Sequence, residues 1–120
     1  ELNKSKVKLY DLSKLKKMSE NDSEFIQRML KLFIKISIES VLNIGTALKE
    51  GNLITIRKEI HKLKPSFNNM SISILDNDIQ ILEQYNSEKI TGEIKKVILN
   101  ICDNLVLIVE QLKSETTKTS

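Results

Sequence analysis

The chain has 120 residues, with 19 basic and 16 acidic side chains and a formal charge of +3, a length that suits one domain able to bury a continuous core without disulfide or metal staples. Apolar residues make up 40% and are mostly Ile and Leu, with three glycines, one proline and no tryptophan, a composition that favours helices joined by short turns. One cysteine and one histidine exclude an intrachain disulfide and the usual zinc constellations, and the basic residues form no run of the kind expected of a nucleic-acid arm.

No apolar run approaches the roughly 18 to 20 residues that span a bilayer, and Glu1 to Tyr10 lacks the charged-then-apolar layout of a signal peptide. The expectation is a soluble, cytoplasmic domain. Cys102 lies in an apolar pattern and is expected to be a core thiol in a reducing compartment. The opening Glu, in place of Met, is compatible with excision from a longer polypeptide or with processing.

Residues 1–9 read as a polar, lysine-rich flank, after which Asp11 can cap a one- or two-turn helix reaching Met18. Asn21 followed three residues later by Glu24 predicts the start of a long helix. Its apolar side is read as Phe25, Met29, Leu32, Phe33, Ile36, Leu42 and Leu48, with room for a bend between Ser37 and Ser40 and a left-handed stop at Gly51. Asn52 can cap the next helix, whose stripe is Leu53, Ile56, Ile60, Leu63, Phe67 and Met70. A further stretch holds Ile74, Leu75, Ile79 and Leu82 and closes at the polar turn Gln84 to Glu88. The last helix is the most regular: Ile94, Ile98, Ile101, Leu105, Ile108 and Leu112 alternate steps of four and three, and Lys113 to Ser120 should fray. The architecture expected is an all-α, antiparallel four-helix bundle with a short additional N-terminal helix, its core spanning about residues 10–113.

His61 sits on the helix that follows Asn52. At about 100° per residue, with Ile60 at zero, the apolar stripe falls between roughly −80° and roughly +20°, and Ile54 at about +120° is its one apolar exception. His61 falls at about +100°, with Arg57 at about +60°, Asn68 at about +80°, Pro65 at about +140° and Lys58 at about +160°. The imidazole is therefore outside the core stripe, among cations, an amide and a proline. A neutral imidazole nitrogen is a competent nucleophile near pH 7 and suits reversible phosphoryl capture. Lys64, one turn on, is placed to steady the added charge, and Lys62, Arg57 and Lys58 make the neighbourhood positive. Pro65 removes the N–H that would bond to the His61 carbonyl, at up to about 3 kcal/mol. Two compatible readings are a tolerated kink and a compact ring that leaves room for a docking partner.

The run His61-Lys62-Leu63-Lys64-Pro65-Ser66 resembles the histidine-containing phosphotransfer domain of bacterial multistep phosphorelays, and the resemblance covers nearly the whole chain. That family follows its phosphorylated histidine with two residues, a lysine, a small residue and often a serine, then a turn with an apolar residue and glycine; His61, Lys64, Ser66 and Met70 fit. Tyr10-Asp11-Leu12-Ser13, Ser19 to Phe25, Phe33 and Ala47 are similar to the family's run into its first long helix. Pro65 departs from the usual small residue, and Ser71 stands where glycine is common. The form of the motif is similar to domains at the C-termini of hybrid sensor kinases of the Bacteroidetes type. The resemblance implies that His61 accepts a phosphoryl group from a receiver-domain phosphoaspartate and passes it to another receiver aspartate, with Lys64 stabilising its charge. It implies response-regulator receivers as partners, with Arg57, Lys58, Pro65 and Asn68 at the docking surface. Mg²⁺ would be supplied by the receiver, and this chain would hold no cofactor or metal.

Other chemistries fit less well. Gly45, Gly51 and Gly92 are isolated and form no P-loop, which argues against an ATP-using kinase. His61 has no acidic residue at i−4, i−3, i+3 or i+4, so a hydrolytic base would need a carboxylate from another helix. The rival reading is a helical docking module without phosphoryl chemistry, and a nucleic-acid binder is a weaker third.

Overall fold

In the computed structural model, which describes residues 7–116, the regular elements are α1 (Ser13–Met18), α2 (Ser23–Lys49), α3 (Leu53–Asn69), α4 (Asp76–Gln84) and α5 (Gly92–Thr116). Asp11 sits just outside α1 and accepts the Ser13 N–H at 2.9 Å. The turn after α1 puts Glu20 and Asn21 in left-handed backbone (φ +54° and +62°), closed by the Asn21 N–H on the Lys16 carbonyl. That geometry takes Asn21 out of the cap. Asp22 caps α2 instead, accepting the Phe25 N–H at 3.1 Å. Asn52 caps α3 as expected, on the Thr55 N–H, and Thr91 accepts the Ile94 N–H at the start of α5.

Cross-helix pairs give the topology. Asn43 donates to Glu59, and the rings of Phe33 and Phe67 meet edge to face at 6.1 Å, so α3 runs back along α2. Arg57 reaches Leu82 and Lys64 reaches Glu83, turning α4 against α3. The Gln27 amide donates to the Glu115 carbonyl, which places the end of α5 beside the start of α2. The result is the antiparallel four-helix bundle, with α1 as the additional N-terminal helix. Among the described residues, no helix is long and apolar enough to cross a membrane.

The core is aliphatic, with Leu30, Ile44, Ile56, Leu75, Leu82, Ile98, Leu105 and Ile108 fully buried. The stripes read for α3, α4 and α5 lie in it, except that Ile74 is exposed. For α2 the expected stripe is corrected. Ile26, Leu30, Phe33, Ser37, Ser40, Ile44 and Ala47 face inward, whereas Phe25, Leu32 and Leu42 are exposed and Met29, Ile36 and Leu48 lie at the boundary. This helix carries apolar residues on several faces, so spacing alone finds more than one stripe. The face that is buried carries the small Ser37 and Ser40, both wholly buried, a pair that takes up little room between packed helices. The helix runs unbroken through them.

The frayed tail is likewise corrected, since α5 continues to Thr116; residues 117–120 lie outside the described residues. Tyr10 Oη donates to Glu115 Oε2 at 2.7 Å, and Gln111 brackets the N-terminal segment, accepting from the Leu9 N–H and donating to the Val7 carbonyl. Of the expected flank, Val7 to Leu9 thus pack along α5, and residues 1–6 lie outside the described residues. Burial, with the Glu115 carboxylate, raises the Tyr10 phenol well above its usual range. Folding therefore favours the neutral phenol, and this stabilisation is fully present below the unfolded value of about 10 and lost as pH rises beyond it. Thermal melts from pH 9 to 11 should fall more steeply for the wild type than for Tyr10→Phe. Cys102, expected in the core, is half-buried at its edge, and burial pushes its thiol up to about 11, which disfavours the reactive thiolate.

Three helix ends share one device, the turn around Glu20 after α1 being the first. After α2 the Asn52 N–H bonds to the Ala47 carbonyl around Gly51 at φ +68°, and after α3 the Ile72 N–H bonds to the Phe67 carbonyl around Ser71 at φ +52°. Gly51 takes the left-handed conformation freely, whereas Ser71 carries a Cβ into it at a cost of about 1 kcal/mol. Ser71→Gly should raise the stability by about 0.5 to 1 kcal/mol in urea unfolding, part of the relief being lost to the freer unfolded chain.

Candidate functional site

Helix α3 packs against α2 and α4 with its core stripe turned inward, and its outer face is left to solvent. Ile54, Lys58, His61, Pro65 and Asn68, spaced by alternating fours and threes, are all exposed and form one outward row with the imidazole at its centre. Among the described residues, no hydrogen bond engages the imidazole. It borders a groove of about 420 Å³ between α3 and α4, whose floor is the buried Ile60, Ile79 and Leu82 and whose rim is Arg57, Lys58, Lys62 and Glu83. A second groove, of about 580 Å³, continues toward the end of α3; it includes Lys64, Asn68, Ser71, Gln80 and again Glu83.

The cations differ in what holds them. The Arg57 guanidinium lies over the end of α4 and donates to the carbonyls of Leu82, at 3.2 Å, and Tyr85. It occupies main-chain acceptors that the helix terminus leaves unpaired, so this residue, expected on the docking rim, is engaged within the fold. Lys62 pairs with Glu59 at 2.9 Å on the α2 side. Burial raises the Glu59 carboxyl, but the Lys62 ammonium and the Asn43 amide outweigh it and hold the group below the usual carboxylate range. Lys64 forms an ion pair with Glu83 of α4. Among the described residues Lys58 is in no ion pair.

Pro65 lies in the unbroken body of α3 on its exposed side, one turn beyond His61. His61 and Pro65 are both exposed, so water can take the place of the missing N–H at the His61 carbonyl, which lowers the cost of the lost hydrogen bond. The ring adds no side-chain bulk beyond its own edge, so the row stays accessible on both sides of the imidazole.

Of the residues expected at the site, the structure brings His61, Lys58, Pro65 and Asn68 onto one exposed row and sets Lys64 beside it. Glu83 was not anticipated. It lies 22 positions from His61 with no local signal, and only the packing of α4 on α3 brings its carboxylate to both grooves. The described residues contain no group of three or more His, Cys, Asp or Glu side chains placed to hold a metal. Comparison of the chain with models of known protein families, with curated proteins and with solved structures finds no match.

Proposed function

We propose that the chain is a phosphorelay carrier, a histidine-containing phosphotransfer domain in which His61 accepts a phosphoryl group from a receiver-domain phosphoaspartate and returns it to another receiver aspartate. The observation that carries this reading is the exposed, unengaged imidazole at the centre of the outward row of α3, beside an apolar-floored groove and with Lys64 one turn beyond. In the forward step the lone pair of one imidazole nitrogen bonds to phosphorus as the acyl phosphate P–O bond breaks. The bonding electrons of that P–O bond leave with the donor aspartate as its carboxylate, and the other ring nitrogen keeps its proton. Onward transfer is the reverse step on a second receiver. This chain contributes the nucleophile, a rigid helix to position it and a cation for the phosphoryl oxygens. The receiver would lay an apolar surface on the groove floor, with Lys58 at its rim and Pro65 and Asn68 farther along the outward row.

A docking module without phosphoryl chemistry is the second reading. It is favoured by Lys64, whose ammonium is already taken by Glu83, and by Pro65. The experiment that tests the proposal is transfer of labelled phosphoryl from phosphorylated receivers, in Mg²⁺, to the purified protein. Acid-labile, alkali-stable label on the chain is expected. A chain left unlabelled by several receivers would make the docking module the better account.

A further inference from the structure

The carrier reading leaves Glu83 unexplained, because a carboxylate on the rim of the His61 groove repels an incoming phosphoryl group and occupies the cation meant to receive it. Lys62 and Arg57 are also engaged, but by Glu59 on the far flank of α3 and by main-chain carbonyls. Of the two carboxylates among these partners, Glu83 lines the groove that His61 borders and Glu59 does not. Glu83 also lines the next groove, with Lys64. Both ends of the Lys64–Glu83 pair are partly solvated, with side chains 39% and 45% exposed, so water can replace either partner.

Resting on the carrier reading, we propose that Glu83 is a resident counter-anion, which a phosphoryl group on His61 must displace from Lys64. In the resting protein the carboxylate satisfies the ammonium. On phosphorylation Lys64 turns to a phosphoryl oxygen, and Glu83 is left to solvent near a dianion. No covalent bond changes in this exchange. Its consequence is a phosphohistidine held less firmly than by a free lysine, which favours rapid onward transfer over storage. Glu83 is in this sense a positioning residue, acting through Lys64.

The test compares wild type, Glu83→Gln, Lys64→Ala and the double variant after chemical phosphorylation with phosphoramidate. This donor needs an exposed imidazole and no receiver: its P–N bond breaks, the imidazole nitrogen bonds to phosphorus, and ammonia leaves. Phosphorus NMR then follows the titration of the phosphoryl group on His61. In Glu83→Gln the freed ammonium should favour the dianion and move the midpoint down. The dianion-to-monoanion ratio at a fixed pH near the midpoint should rise about 1.5- to fivefold, the range for one partly exposed charge. In the Lys64→Ala background the same substitution should have less than half that effect. An unmoved midpoint in Glu83→Gln, or an equal shift with and without Lys64, would overturn the inference, the second showing plain repulsion by Glu83. Refusal of the group by every variant would overturn the inference and the carrier reading together. The expected shifts in a chain that no phosphorylated receiver labels would sink the carrier reading alone.

Discussion

His61→Gln should abolish acceptance of phosphoryl from a phosphorylated receiver, lowering the label on the chain by at least about a hundredfold, since a primary amide offers no nucleophilic nitrogen near neutral pH. The substitution is informative because it changes little else. His61 is exposed and, among the described residues, its ring is in no hydrogen bond, while the buried Ile60 and Leu63 beside it keep α3 seated. Surface changes of this kind leave stability within about 0.5 kcal/mol, so the melting temperature should stay put while the label disappears. Label that persists in the variant would place the acceptor elsewhere and remove the reason for reading the outward row of α3 as the site.

The second large effect is on the fold. Ile56 is wholly buried on the α3 stripe, and Ile56→Ala should destabilise by about 2 to 5 kcal/mol, combining lost transfer energy with an unfilled cavity. For a domain of this size that corresponds to a fall of roughly 10 to 20 °C in the melting temperature. A loss below about 1 kcal/mol would mean that the core collapses around the gap, and that the helix presenting His61 is less firmly fixed than its packing implies. The same variant asks how far the site depends on the core: retention of phosphoryl transfer at low temperature would show that the row is preserved once α3 is formed.

These two positions also show what could be read without tertiary structure. Ile56 and His61 are five apart, and the helical period alone sends one inward and the other outward. The same arithmetic placed the stripe of α5, where the residues at steps of four and three from Ile94 to Leu112 are all buried, while Leu99 and Val106 off that stripe are exposed. It failed on α2, where Phe25, Leu32 and Leu42 are as apolar as the residues that are buried, and the inward face includes Ser37 and Ser40, residues that no hydropathy pattern would select. At the site, the spacing of His61, Lys64, Pro65 and Asn68 was readable because all four share one helix. The engagement of Arg57 by the end of α4, and of Lys64 by Glu83, was not, because each joins residues 19 or more positions apart.

The sequence by itself determined that this chain is helical, where four of its helices begin or end, and that its one histidine stands outside the apolar stripe of α3. Those properties follow from local spacing, capping side chains and the scarcity of glycine and proline, all of which act within a few turns. Only the tertiary structure decided which face of α2 is buried, which cations around His61 are engaged, and that a carboxylate stands beside them. Those outcomes depend on how closely whole helices can pack and on long side chains meeting across the seam between them, and neither is encoded within any one helix.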